Sequence, residues 1–407
     1  MGTDTFEIAV NFIKMVLIFL MMVQIVPLLV WVERRGSAYI QNRFGPNRVG
    51  PLGLMQLLAD AIKFLTKEEF IPKRGYPVLF YVAPIVAMIP AALAFGAIPL
   101  SMPIQVETFE MFGQHWGPYL FKFQSYDIGI GIVFVLGVSS MAAFGVLLAG
   151  YGSNNKYALY GALRASAQTI SYELAMGLAI VGVILVFNSF SFLDIVNAQS
   201  APLNFAFLGH KVEFGFLPNW GIFYQTLGAI LLFSAMFAEA NRLPFDLPEA
   251  EGELVAGYHT EYAGFKFNMF FIGEYGHMLV ASALMVIFYL GGYTIWPIFT
   301  AETAPHIMAP VAAGFVGLLT WVFGFFGVTG FNLVTWTNLF AALLLHVILL
   351  AKMVFFLWIF IWVRWTLPRF RYDQLMDLGW RKMLPWALAN TLLTAVIILV
   401  MRYPWGA

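Results

Sequence analysis

Three carboxylates sit where carboxylates are expensive. Glu173 lies in RASAQTISYELAMGL, Glu239 in FAEANR and Glu274 in FFIGEYGHM, each within or at the edge of a long apolar run. An ionised group at bilayer depth is costly, and a short carboxylate snorkels poorly, so these side chains must face a bundle interior or water. Burial and a neighbouring like charge both favour the neutral acid, so a chain of such groups can take up and release protons. A carboxylate kept for structural hydrogen bonding is the other reading for any one of them. Three at the same depth, followed by an acidic loop on the same side, turn the reading toward proton handling. That loop, NRLPFDLPEAEGELVAGYHTEYAGFK, holds Asp246, Glu249, Glu251, Glu253 and Glu261 against Arg242 and Lys266. At helical spacing Glu249 and Glu253 share a face and Glu251 points away from it. Leu247, Leu254 and Val255 interleave them, which suits carboxylates held against a partner or around water better than one solvated face.

A second group of charges follows the first apolar stretch. WVERRGSAYIQNRFGPNRVGP places Glu33, Arg34 and Arg35 at its end and Arg43 and Arg48 in a turn rich in Gly and Pro. Anchoring by inside arginines accounts for the basic residues. It leaves Glu33 unexplained, since a boundary carboxylate needs a partner or water. In GLMQLLADAIKFLTK the polar residues Gln56, Asp60, Lys63 and Lys67 recur at steps of four, three and four. On a helix they form one narrow stripe, so the segment 52–66 lies along the inner membrane face, as an anchor or as part of a cavity wall carrying Asp60. Lys352, midway along another apolar stretch, needs a partner or a neutral state; an ion path or a contact with another subunit would each provide one. The histidines offer no matched pair for a haem and no metal-ligand spacing.

The elements that position these groups follow from composition. The chain has 407 residues, 61% apolar and 11% charged, no cysteine and a formal net charge of zero; its mean hydropathy is +0.80. Soluble domains carry about 25% charged residues, so lipid must be the solvent for much of this chain. Without cysteine there is no disulfide scaffold, thiolate-bound iron–sulfur cluster or CxxCH haem, and the neutral balance gives no sign of nucleic acid. The reading is an all-α integral membrane protein, one polytopic domain over 1–407. Eight spans are expected at about 8–32, 76–98, 127–151, 167–188, 220–240, 273–297, 338–363 and 384–402. With both termini outside, every basic residue falls on the inner side except Lys14, Lys122, Lys211, Lys352 and Arg402, as the positive-inside rule requires. Counting 309–329 as a ninth span would put Arg364 to Lys382 outside, so that apolar stretch is read as an outer-side insertion. The first stretch is too long for a cleaved signal peptide and is read as a retained anchor.

Four strings carry a resemblance: WVERRGSAYIQNRFGPNRVGPLGLMQLLADAIKFLTKE, GSNNKYALYGALRASAQTISYE, AEANRLPFDLPEAEGELVAGYHTEYAGFKF with FFIGEY, and RWTLPRFRYDQLMDLGWRKMLP. They cover every inside loop, and the chain resembles the family of H subunits of proton-pumping NADH:quinone oxidoreductase, respiratory complex I, whose mitochondrial counterpart is ND-one. Leu57, Tyr151, Ala240 and Gly252 depart from the family's usual residues without removing a charge. Extra residues near 104–124, 200–219 and 299–332 fall on the outer side.

The resemblance implies the membrane half of a quinone chamber, with quinone as substrate and no cofactor on this chain. FMN and iron–sulfur clusters would reside in partner subunits. It implies that Glu33, Arg34, Arg43, Asp60, Arg242, Phe245, Arg364 and Arg369 line or support the chamber. Glu173, Glu239, Glu249, Glu251, Glu253 and Glu274 would form an acidic path coupling quinone reduction to pumping. Partners would be the peripheral-arm quinone-site subunits, the small and antiporter-like membrane subunits and lipid, in a bacterial inner membrane. A relative serving a hydrogenase-type complex without quinone, or a stand-alone ion transporter, is the alternative.

Overall fold

Apolar runs of this length must satisfy their own backbone polar groups, which lipid cannot do, and helices are the local way to do so. The computed structural model is mostly helical. It describes residues 2–402 except 107–108, 112–113, 117–118, 208–209, 248–253 and 325–332. The helices are α1 (Gly2–Ile40), α2 (Gln56–Thr66), α3 (Pro77–Ala97), α4 (Gly131–Ser139), α5 (Met141–Gly152), α6 (Lys156–Phe187) and α7 (Phe192–Gln199). There follow α8 (Gly221–Tyr224), α9 (Thr226–Glu239), α10 (Gly264–Tyr289), α11 (Thr303–Gly324), α12 (Leu333–Thr366), α13 (Tyr372–Asp377) and α14 (Leu384–Arg402). A π-helical turn, Leu378–Met383, joins the last two.

Among the described residues, seven helical segments are long and apolar enough to cross a membrane, and Thr226–Glu239 and Thr303–Leu319 are shorter apolar helices. One of the seven is the hub. In α10, 94% of the most apolar window is buried, whereas the corresponding share in the other six is 44% or less. A helix apolar all round belongs in a core, while the others keep residues such as Phe12, Val347 and Leu392 exposed, as a lipid-facing wall must. Small residues bring the backbones together. A Cβ on Gly145 would lie 2.5 Å from the Ala87 nitrogen, so α3 and α5 touch along their main chains.

Several helices extend beyond their apolar stretches. The first continues to Ile40 instead of stopping near 32, which puts Glu33 and Arg34 on helix. The fourth stretch is preceded by polar helix from Lys156, where Asn155 Oδ1 accepts from the Tyr157 amide at 3.0 Å and caps the start. The 220–240 stretch is divided at Gln225, whose backbone (φ −132, ψ 46) leaves the helical region between α8 and α9. The central helix begins at Gly264 and stops at Tyr289, because Gly291 and Gly292 adopt φ of 74 and 58 and turn the chain away. The segment Gln56–Thr66 has no buried residue and is pinned beside α1, where Trp31 Nε1 donates to the Leu52 carbonyl at 3.3 Å.

The extra segments near 104–124 and 200–219 form antiparallel hairpins: Ile104–Val106 with Tyr119–Phe121, Phe109–Met111 with Gln114–Trp116, and Pro202–Phe207 with His210–Pro218. Lys14 reaches over the Phe121 ring at 5.4 Å. Glu33 is about 28 Å further along the same helix at 1.5 Å per residue. The hairpins and the conspicuous carboxylates therefore occupy opposite ends of the bundle.

Candidate functional site

At the end of the bundle away from the hairpins, α1, α10, α12 and the chain leaving α9 meet around Glu33. Its Oε1 accepts from Arg364 Nη1. Its Oε2 accepts from the Tyr275 hydroxyl at 2.6 Å and lies 4.0 Å from Arg242 Nη1. The Arg242 guanidinium sits over the Tyr275 ring at 3.9 Å, and its Nη2 is 4.0 Å from Glu274 Oε2. Glu274 Oε1 accepts from the Tyr258 hydroxyl at 3.0 Å. Glu33, Arg242 and Glu274 are 6%, 4% and 8% exposed. Buried charge is tolerated only when paired and hydrogen-bonded, and here two carboxylates meet two guanidinium groups.

Beyond Glu274 the packing opens into a cavity of about 30 Å³, lined by Glu274, Glu239, His277, Tyr258, Thr169 and Asn241 on its polar side. The rest of the lining is apolar, from Ala87, Ala142, Ala143, Val146 and Phe270, and a void of that size has room for about two waters beside the polar groups. Glu239 Oε1 is 3.6 Å from His277 Nδ1. Thr169 lies one helical turn before Glu173 on α6, and Ser140, between α4 and α5, donates its hydroxyl to Glu173 Oε1. Glu33, Glu274, Glu239 and Glu173 thus form a sequence of buried or half-buried carboxylates interleaved with phenols, hydroxyls, a guanidinium and an imidazole.

The other residues expected at the site fall around this core. Asp60 accepts from Arg34 at 2.7 Å and from Gln56 at 3.0 Å, with Lys63 at 3.8 Å. Arg369 donates to Asp246 Oδ2 at 2.7 Å. Phe245 is buried between the rings of Tyr172 (5.3 Å) and Phe370 (5.6 Å). Arg43 is exposed and donates to Gln41 at 2.6 Å. Glu249, Glu251 and Glu253 lie outside the described residues. After that gap, Tyr262 stacks on Phe80 at 4.1 Å; burial pushes its phenol above the ordinary range, with the Ser153 hydrogen bond acting the other way.

Sequence reasoning misses four participants. Tyr275 and Tyr258 carry no charge to betray them, although Tyr275 directly follows Glu274. His277, one turn after Glu274 on the same helix, is legible only as a histidine at the inner end of a span. Gln168, fully buried, donates to the carbonyls of Ala238 at 2.8 Å and Phe245 at 2.7 Å, and so ties α6 to the chain leaving α9. Lys352 lies elsewhere. Its ammonium donates to the carbonyls of Leu290 (2.7 Å), Gly292 (3.0 Å) and Thr294 (2.7 Å), at the far end of α10.

Residues 13–395 match the profile of the NADH dehydrogenase family. The chain is 62% identical to the NADH-quinone oxidoreductase H subunit of Bdellovibrio bacteriovorus, over 98% of this chain and 99% of the relative. The chain belongs to the family of NADH-quinone oxidoreductase H subunits. It is 40% identical to the H subunit numbered 1 of Geobacter metallireducens over 97% and 98% of the two chains, and 40% identical to the H subunit of Salinibacter ruber over 91% and 90%. As a member of this family it is a multi-span membrane component of an enzyme complex, and the resemblance carried by its charged loops holds over nearly its whole length.

Proposed function

We propose that this subunit forms the membrane wall of a quinone chamber at the Glu33 end of the bundle, and that the carboxylates behind it couple quinone reduction to proton translocation in neighbouring subunits. The observation that carries the reading is the continuity from Glu33 through Arg242 and Glu274 into the cavity shared with Glu239 and His277. The relatives' names give NADH and quinone as the reactants. In this reading electrons come from FMN and iron–sulfur clusters in partner subunits, and this chain provides the apolar access, the arginines and the titratable groups. Arg34 with Asp60, and Arg369 with Asp246 and Phe245, hold the chamber's rim, and Arg43 extends it.

Electrostatics supplies the coupling. Quinone reduction consumes two electrons and two protons, so the charge seen by Glu33 and its arginines changes during turnover. Arg242, at 4.0 Å from both Glu33 and Glu274, feels that change and passes it on, since a shift in its balance alters the proton affinity of Glu274. Glu239 and Glu173 continue the path, and Glu249, Glu251 and Glu253 complete it toward the inner side.

The helix levels support eight spans, and the distribution of basic residues supports an orientation with both termini outside, in a bacterial inner membrane. Gly221 abuts the Phe288 carbonyl and Glu239 meets His277, so α8 and α9 together run beside α10 across its apolar depth. The side chain of Phe315 in α11 packs on Trp336 and Phe340, on the part of α12 lying beyond His346, which faces the Leu100 carbonyl. That packing suits an outer-side insertion for 309–324; residues 325–329 lie outside the described residues.

The test uses the intact complex reconstituted in vesicles. Glu274→Gln should depress quinone-linked NADH oxidation and proton translocation while electron transfer to a hydrophilic artificial acceptor stays at the wild-type rate. Wild-type quinone turnover with full translocation would overturn the proposal.

A further inference from the structure

A second charged concavity lies away from the carboxylate chain. It is an open groove of about 580 Å³ at the inner end, where the chain enters α3 and leaves α5, lined by Lys73, Arg74, Lys156, Asn154, Asn155 and Glu261. The three cations are exposed and make no ion pair with the described residues. Glu261, whose Oε1 accepts from Asn155 Nδ2 at 2.7 Å, offsets one of the three positive charges and leaves the groove net positive. The walls are fixed by hydrogen bonds, since the Tyr76 amide donates to the Gly152 carbonyl at 2.9 Å and Asn154 Nδ2 to the Arg74 carbonyl at 2.8 Å.

The surroundings indicate the occupant. Tyr76 and Tyr151 are exposed and stacked, with ring centroids 5.5 Å apart and planes 1° from parallel, and Tyr157 and Tyr160 are exposed on the next helix. Tyrosines concentrate where hydrocarbon meets headgroups. Immediately below, α3 exposes Val78, Val82 and Ile85, and α5 exposes Phe144. We infer that the Lys73, Arg74 and Lys156 groove, set above this tyrosine collar and apolar wall, holds the headgroup of an anionic phospholipid whose acyl chains lie along α3 and α5. The three cations supply donors to a phosphodiester, and the wall excludes water from the chains below.

The inference is independent of the quinone reading and is tested by a different measurement. The complex is delipidated in neutral detergent and titrated with phosphatidylglycerol, phosphatidylcholine or inorganic phosphate, and bound lipid is counted by native mass spectrometry. Each basic residue near an anionic headgroup is worth about fivefold in affinity. Lys73→Gln/Arg74→Gln/Lys156→Gln should therefore weaken phosphatidylglycerol retention about a hundredfold, while the conservative Lys73→Arg/Lys156→Arg variant keeps it. Phosphatidylcholine should bind weakly to both, and inorganic phosphate should not displace phosphatidylglycerol. Equal retention of phosphatidylglycerol by the glutamine variant and wild type would overturn the inference, as would displacement by inorganic phosphate. Loss of a partner subunit from the glutamine variant with no change in lipid count would instead identify the groove as a protein interface.

Discussion

Tyr275 donates its phenol to Glu33 at 2.6 Å, across 242 positions of sequence. This bond fastens the C-terminal part of α1 to the central helix and fixes one oxygen of Glu33 while Arg364 engages the other. Hydrogen bonds to a charged partner contribute about 1.5–3 kcal/mol. Tyr275→Phe should lower quinone-linked turnover about tenfold, leave hydrophilic-acceptor activity unchanged, and keep the subunit in the purified complex. Wild-type turnover would show that the orientation of Glu33 does not matter to the reaction.

Glu274 and Glu239 share one cavity, so they should act in series. Groups that work as one unit give non-additive losses. The double variant Glu274→Gln/Glu239→Gln is expected to pump no worse than the poorer single variant. A measured loss equal to the product of the two single losses would mean separate roles.

Lys352 is anchored by its contacts, because three carbonyls hold its Nζ at the end of α10. Lys352→Met leaves those carbonyls without their donor at a helix C-terminus, and a buried acceptor left unsatisfied costs about 1–3 kcal/mol. A lower thermal midpoint of the complex is expected, with the proton-to-electron ratio of the surviving enzyme unchanged. An intact midpoint with a lost ratio would instead make Lys352 a proton carrier.

Asp246 and Arg369 link the chain after α9 to the chain after α12 at 2.7 Å. A double-mutant cycle with Asp246→Asn and Arg369→Gln should give a coupling of about 1–2 kcal/mol, read as the change in quinone KM. Strict additivity would show that the pair does not hold the rim.

Much of this can be read from residue type, because charge in lipid announces itself. Glu33, Glu173, Glu239 and Glu274 stand out by their cost, and the stripe of Gln56, Asp60 and Lys63 is realised as side-chain contacts on α2. What stays hidden is neutral or non-local. Tyr258 and Tyr275 are ordinary aromatic residues until the fold aims their hydroxyl groups at carboxylates. The break at Gln225 leaves no mark in the hydropathy of 220–240, because its amide is satisfied from a distant helix, by Asn390 Nδ2 at 2.7 Å. Polar helix such as that from Lys156 to Gln168 also escapes a count of apolar residues, since capping and packing, not hydrophobicity, fix where it starts.

The small void beside Glu274 also bears on selectivity. A metal cation travels with a shell of about six oxygens, whereas this space accommodates about two waters. A sodium or potassium ion would have to shed most of its hydration to enter. Charge can still cross by exchange of hydrogen between waters and side chains without any heavy atom moving far. On the proposed path, the narrowness of the gap would act as a filter, admitting the one cation that needs no room of its own.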